Sequence, residues 1–179
     1  MNSKFLEVDG IKTEADAIQW SVNAAVQRNR AYRGYERREE FRAEWKRMIR
    51  EESQRYRSFD EPMCDSQHGG IISMISDHLS ATFATSLNNG RLRFGTSQKA
   101  FNLYLKYPWQ LGEIPPPPHC PVDRIVLSAL GIDEAWTKCD DQKQYMRWIS
   151  SIRSAIHRES KTLSVSQWEN DVWLRAASK

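Results

Sequence analysis

The sequence predicts an all-α protein that forms one domain of about seven helices over residues 1–179. Three observations favour this class. Apolar residues recur at spacings of three and four along most of the chain, and capping residues stand at the start of several of these stretches. No segment has the alternating pattern of a half-buried strand. At this length the chain can bury a core without metals or disulfides.

The first half of the chain carries three predicted helices. The first begins after Thr13, a good N-cap with an acidic residue three positions later. A second runs over about residues 36–56, and together they form a basic N-terminal part over residues 1–60. The third covers residues 71–87 and opens the helical core of residues 71–179. Residues 59–70 contain Pro62 and two glycines, and we expect a loop there.

The second half begins with a predicted turn at Gly95, Thr96 and Ser97, which leads into a fourth helix. Four consecutive prolines at residues 115–118 then predict a stiff polyproline connector. Asp123 is expected to cap a short apolar helix that Gly131 ends. The other predicted helices of this half cover residues 97–107, 142–158 and 164–177.

The net charge of +3 does not by itself indicate a nucleic-acid-binding protein, but its distribution is uneven. Residues 28–57 hold eleven Lys or Arg against six Glu, and Tyr and Trp residues lie between them. This pattern is typical of a helix that faces phosphates, and we expect Arg37, Arg38 and Arg42 to contact them. The alternative is a solvated helix whose Glu and Arg residues pair with one another.

The three cysteines are odd in number and lack the spacing of a disulfide framework, which favours a reducing compartment. Residues 1–12 have no apolar run of a signal peptide, and no stretch is long and apolar enough to span a membrane. We therefore expect a cytoplasmic protein without a membrane partner. The oligomeric state stays open.

A lysine and an aspartate at two predicted helix starts provide the strongest chemical hypothesis. Lys99 follows the Gly95 turn, and Asp123 follows Pro121 and Val122. A carboxylate can stabilise the positive charge that develops on a sugar when its base is removed. A lysine amine can attack the same sugar carbon and form an imine. Both reactions require that the nucleotide be extruded from the duplex.

The same residues resemble the helix-hairpin-helix DNA glycosylase superfamily, which includes endonuclease III and 8-oxoguanine glycosylase. The similarity covers residues 94–130, where the hairpin segment Gly95 to Asn102 and the segment Pro121-Val122-Asp123 match. The resemblance implies that Lys99 is a Schiff-base lysine and Asp123 the catalytic aspartate. It further implies DNA as partner, with Gly95, Thr96 and Ser97 at the phosphates; Arg91 and Arg93 precede them and complete the predicted binding set. The four-cysteine cluster motif of endonuclease III is absent, so no cofactor is expected.

Two alternatives remain open. The first is a non-enzymatic helical module of a bacterial or phage accessory system, which binds nucleic acid or a protein partner through the basic helix of residues 28–57 and needs neither Lys99 nor Asp123. A weaker alternative is a zinc site, because two loops each supply two suitable ligands. Its ligands would be Cys64, His68, His119 and Cys120. Packed cysteines and histidines explain these residues more simply, and no metal is expected.

Overall fold

A computed structural model of the chain describes residue 6 and residues 10–27, 29–58, 63–159 and 162–177. Within these residues the protein is all-helical and forms one domain, as the sequence predicts; no strand is present, and one isolated bridge joins Tyr32 to Leu87. The described α-helices are α1 (Glu14–Val26), α2 (Arg38–Ser53), α3 (Asp65–Phe83), α4 (Phe94–Gln110), α5 (Arg124–Ala129), α6 (Gln142–Arg158) and α7 (Val165–Ala177).

Helix α4 lies at the centre of the domain. It packs against α1, α2 and α3 on one side, and against the short 3-10 helix Trp136–Lys138. Side-chain bonds join it to α6 and α7 on the other side, and α7 also packs on α5 and α6. From Phe94 to Lys106, every residue of α4 except Lys99 is buried. One continuous hydrophobic core therefore surrounds this helix.

The buried polar residues of α4 each have a specific partner. The Ser97 hydroxyl donates to the Ile72 carbonyl at 3.2 Å. Gln98 holds the backbone of Val122 at both its N–H and its carbonyl, at 3.1 and 2.6 Å. Asn102 donates to the Tyr145 hydroxyl at 3.0 Å. Because a buried polar group without a partner is costly, these bonds fix how α4 sits among its neighbours.

The predicted capping residues begin their helices as expected. Thr13 and Asp16 form a capping box at α1, with Thr13 Oγ1 accepting from the Asp16 N–H at 3.1 Å. Asp123 Oδ1 accepts from the N–H of Ile125 at 2.8 Å at the start of α5, and Gly131 follows its end with φ +69°. Side-chain oxygens at these positions satisfy N–H groups that have no partner inside the helix.

The predicted end of the loop at residue 70 and both predicted ends of the fourth helix are wrong. Residues 65–70 are not a loop: α3 begins at Asp65, and both glycines lie inside the helix. Residues 59–62, with Pro62, lie outside the described part of the chain. Gly95, Thr96 and Ser97 are not a turn ahead of the fourth helix, because α4 begins at Phe94 and they form its first turn. Pro108 does not end α4, which continues to Gln110.

Candidate nucleic-acid interface

Lys99 and Asp123 do meet in the folded protein. The Nζ of Lys99 lies 3.0 Å from Oδ2 of Asp123, and both side chains are mostly buried. The Lys99 ammonium also lies 4.6 Å from the ring centre of Trp136. Asp123 keeps its other oxygen on the N–H groups that open α5. The pair is therefore a closed contact, in which each charge is satisfied by the other and by the helix start.

The first turn of α4 does not present free N–H groups. The Gly95 N–H donates to the Cys139 carbonyl, and those of Thr96 and Ser97 donate to the Arg93 carbonyl, each at 3.0 Å. All three residues are buried. A Cβ on Gly95 would lie 2.0 Å from the Trp136 carbonyl oxygen, so glycine is required there by close packing. The backbone N–H groups of the residues that resemble a hairpin are therefore already bonded to carbonyls inside the protein.

Most arginines of α2 are occupied as well. Arg37 adopts a left-handed backbone, pairs with Glu40 at 3.0 Å and donates to the Thr82 carbonyl. Arg42 is buried and donates to Tyr32 and Asn23. Arg47 bridges Glu44 and Glu51. Residue 28 lies outside the described part. The predicted alternative of intrahelical Glu–Arg pairs thus describes much of this helix.

The four residues of the zinc hypothesis do not come together. The rings of His68 and His119 lie 4.3 Å apart, but no group of three or more His, Cys, Asp or Glu within the described residues could hold a metal. Cys64 is exposed and bonds to Ser66, whereas burial raises the pKa of Cys120 well above its usual value. Burial also lowers the pKa of His119 to about 4 and keeps its ring neutral.

A cationic cleft lies where three distant segments meet. It has a volume of about 200 Å³ and is mainly polar in its lining. Its four cations are Arg30, Arg91, Arg93 and Lys138, and we call it the cationic cleft. The remaining lining consists largely of uncharged donors, with Ala31 and Leu92 beside them: Asn29, Asn88, Asn89, Thr96 and Thr137.

The charges around the cationic cleft are not balanced. Asp140 pairs with both Arg91 and Arg93, at 3.3 and 2.6 Å. The side chains of Arg30 and Lys138 are exposed and make no ion pair or hydrogen bond within the described chain. Among the described residues, four cations line the cleft and one carboxylate pairs with them, which leaves an excess of three positive charges in a small volume. Such a cleft attracts anions, and two of its cations are free to bind one without breaking an existing contact.

Backbone hydrogen bonds between two loops that are distant in sequence hold the main chain around the cleft in place. The N–H of Asn88 donates to the Ala31 carbonyl at 2.9 Å, and that of Arg33 donates to the Ser86 carbonyl at 3.0 Å. The Asn29 amide also bonds to the Thr96 hydroxyl, which ties the first loop to α4. Arg30 and Asn88 therefore reach the cleft from a supported backbone.

Some residues of the cationic cleft could be predicted from the sequence. Arg91 and Arg93 belong to the predicted binding residues, and the cleft contains both. Thr96 lines it as well. Arg30 falls inside the basic segment but was not singled out, and Lys138 carried no signal because it is brought to Arg93 from 45 residues away.

No protein-family model matches the chain, and no curated protein and no solved structure resembles it significantly. None of the described helices combines the length and apolarity needed to cross a membrane. The function of the protein therefore has to be inferred from its own side chains.

Proposed function

We propose that the protein binds nucleic acid, with DNA as the first candidate, through the cationic cleft. The observation that carries this proposal is the excess of three positive charges around a cleft of about 200 Å³. Phosphate contacts supply most of the affinity of proteins for nucleic acid, and arginine, lysine and side-chain amides are common donors to phosphate oxygens.

The residues divide naturally into two groups with different tasks. Arg91 and Arg93 are oriented by Asp140, so their guanidinium groups are placed before any ligand arrives. Arg30 and Lys138 are free and can close on a phosphate. Asn88 and Asn89 at the rim offer amides that can donate to phosphates or contact base edges. This arrangement needs no catalytic group and fits a binding module.

The test compares two double variants that remove the same charge. Arg30→Gln with Lys138→Gln changes the cleft, whereas Arg147→Gln with Arg158→Gln removes two exposed charges of α6 that do not line it. Binding of a labelled oligonucleotide is measured by anisotropy between 50 and 200 mM salt. If both residues contact phosphates, the cleft variant should bind more weakly and its log–log salt slope should fall by roughly 1.4 to 1.8.

The control variant should keep most of the affinity, because distant exposed charges act only through a screened field. Equal losses in the two double variants would mean that binding depends on overall charge rather than on the cleft. An absence of binding by the unmodified protein at 50 mM salt would contradict the proposal outright.

A second candidate function is base excision, and the 3.0 Å contact between Lys99 and Asp123 favours it. These are the residues that the resemblance over residues 94–130 assigns to catalysis. An ion-paired ammonium is not a nucleophile, so Lys99 would first have to pass a proton to Asp123. Its amine would then attack the sugar carbon, and the base would leave with that proton. Borohydride trapping on DNA with an abasic site should then give a covalent adduct. Loss of the adduct in Lys99→Gln would support Lys99 as the Schiff-base nucleophile, and an equal adduct in that variant would exclude that role.

A further inference from the structure

One aromatic side chain, on the loop that follows residues 29–31 of the cationic cleft, is almost wholly exposed. Tyr35 exposes 88% of its surface, far more than any other large hydrophobic residue in the described chain. The next most exposed, Leu111 and Met74, expose 47% and 39%. Packing does not explain a tyrosine in this position, because the ring is 88% exposed and its one ring or cation contact within the described residues is with the guanidinium of Arg38, at 5.9 Å.

The loop that carries Tyr35 is continuous with the cleft. Tyr32 pairs with Leu87 in the isolated bridge, immediately after Ala31 in the cleft lining. Tyr35 follows Ala31 by four residues, which is at most about 14 Å of extended chain. The bridge and the two backbone bonds beside it hold the base of this loop against residues 86–88.

Positive charge accompanies the aromatic ring along the loop. Arg33 is exposed and its side chain makes no ion pair within the described residues. Arg38 packs its guanidinium 4.3 Å from the ring centre of Tyr32 and forms no ion pair there either. The loop thus carries Arg33 and Arg38, without ion pairs among the described residues, on either side of Tyr35 and beside the exposed Glu36, and presents a ring that is open to stacking.

Building on the nucleic-acid binding proposed above, we infer that the ligand is a single strand, with an unstacked base on Tyr35 and the neighbouring phosphates in the cationic cleft. The faces of bases in a duplex are covered by the adjacent base pairs, so an exposed tyrosine gains little from a duplex. Single strands offer free base faces, and binding sites for them combine aromatic rings with cationic grooves. The cationic cleft and the exposed ring of Tyr35 provide these two features.

The experiment compares an oligo(dT) single strand with a duplex of the same length, at equal salt. Binding is measured for the unmodified protein and for Tyr35→Ala, Tyr35→Phe and Leu111→Ala. The single strand should bind more tightly than the duplex. Tyr35→Ala should weaken single-strand binding by roughly 5- to 150-fold, the range that base–aromatic stacking gives on alanine substitution. Tyr35→Phe keeps the ring and should retain the affinity, and Leu111→Ala removes the next most exposed large apolar side chain, which lies elsewhere, and should change nothing.

The outcomes separate this inference from the proposal on which it rests. Single-strand affinity that is unchanged in Tyr35→Ala but reduced in Arg30→Gln with Lys138→Gln would overturn the stacking role and leave the cleft intact. Duplex binding as tight as single-strand binding would overturn the single-strand preference. If neither oligonucleotide binds the unmodified protein, nucleic-acid binding itself fails. Melting curves check that each variant is folded, which is expected because Tyr35 is exposed.

Discussion

A glycine at position 95 is compatible with two quite different structural roles, a hairpin turn and close packing of two backbones. In a hairpin turn, glycine would allow a phosphate to approach the backbone. In this protein it lies in the first turn of α4, where the Trp136 carbonyl oxygen occupies the position of a side chain. The absence of a Cβ is what lets the 3-10 helix at Trp136 pack against α4. Glycine is therefore required at position 95 because two backbones pack closely there.

Replacing Gly95 distinguishes these two requirements. We expect Gly95→Ala to lower the free energy of unfolding by at least about 2 kcal/mol, because the new methyl group would overlap a backbone oxygen that cannot rotate away. Urea denaturation measures the change. Gly112→Ala is unsuitable as a control because its φ is +77°, whereas Gly70 lies in a helix with open space at its Cβ. Gly70→Ala should preserve or raise stability, and a Gly95→Ala protein as stable as the parent would contradict the packing explanation.

At the scale of secondary-structure elements, α4 is the feature that organises the domain and the one that sequence patterns describe least well. Helices α6 and α7 could be predicted to within a residue, because their apolar stripes and polar starts are local signals. Helix α4 is buried on nearly all sides, so Thr96, Ser97, Gln98 and Asn102 show no solvent-facing pattern. Their hydrogen-bond partners lie in other elements. Taken by itself, a run of polar residues of this kind predicts a turn or a binding site.

The candidate site follows the same logic. Arg91 and Arg93 could be predicted because they stand beside a polar segment, and Arg30 belongs to a basic stretch. The cleft itself could not, because it depends on Lys138 and Asn88 meeting them in space. The arginines of residues 37–47 show the converse. Their charge pattern predicts phosphate contacts, but several of them are already paired within the protein. Charge counts do not show which arginines already have a glutamate or a carbonyl as partner.

The bond between α4 and α7 gives a prediction at this scale. Lys106 and Glu169 form a fully buried ion pair at 2.8 Å. Burial raises the pKa of the Glu169 carboxyl, although the nearby Lys106 ammonium opposes the rise. We expect Glu169→Gln to cost about 3–5 kcal/mol of unfolding free energy, because it leaves the Lys106 charge buried without its counter-ion.

The double variant Lys106→Met with Glu169→Leu provides the comparison. It removes both charges and keeps an apolar volume, so it should be more stable than Glu169→Gln and close to the parent. Chemical denaturation of the three proteins measures both effects. A double variant as unstable as Glu169→Gln would mean that the pair contributes a specific geometry beyond charge balance.

For the molecule as a whole, the histidine pair at the core predicts how stability depends on pH. Burial holds the pKa of His119 at about 4 and that of His68 well below its usual 6.5. The unfolded chain takes up these protons once the pH falls below about 6.5, whereas the folded protein resists them. Stability should therefore be full near pH 7 and decline as the pH falls from 6.5 toward 4. His119 alone should account for about 2 kcal/mol between pH 7 and pH 5.

Urea midpoints at pH 7 and pH 5 test this expectation. The carboxyls that charge pairing and hydrogen bonding stabilise, Asp65 and Glu44, have a pKa of about 2, so they add little to the change within this interval. Replacing the exposed His157 with Gln should leave the pH effect intact, whereas His119→Gln should reduce it. A protein equally stable at both pH values would show that the buried rings are protonated without cost.

The most direct test of the proposed binding is a map of where an oligonucleotide touches the protein. Amide shifts of the ¹⁵N-labelled protein are recorded while oligo(dT) is added at low salt. The cationic cleft predicts that the changes concentrate at residues 29–35, 88–93 and 137–140, which are distant in sequence and adjacent in the fold. Changes confined to the exposed face of α2, or centred on Lys99 and Asp123, would contradict the cleft as the site. Spectra that do not change at all would show that the protein does not bind this nucleic acid.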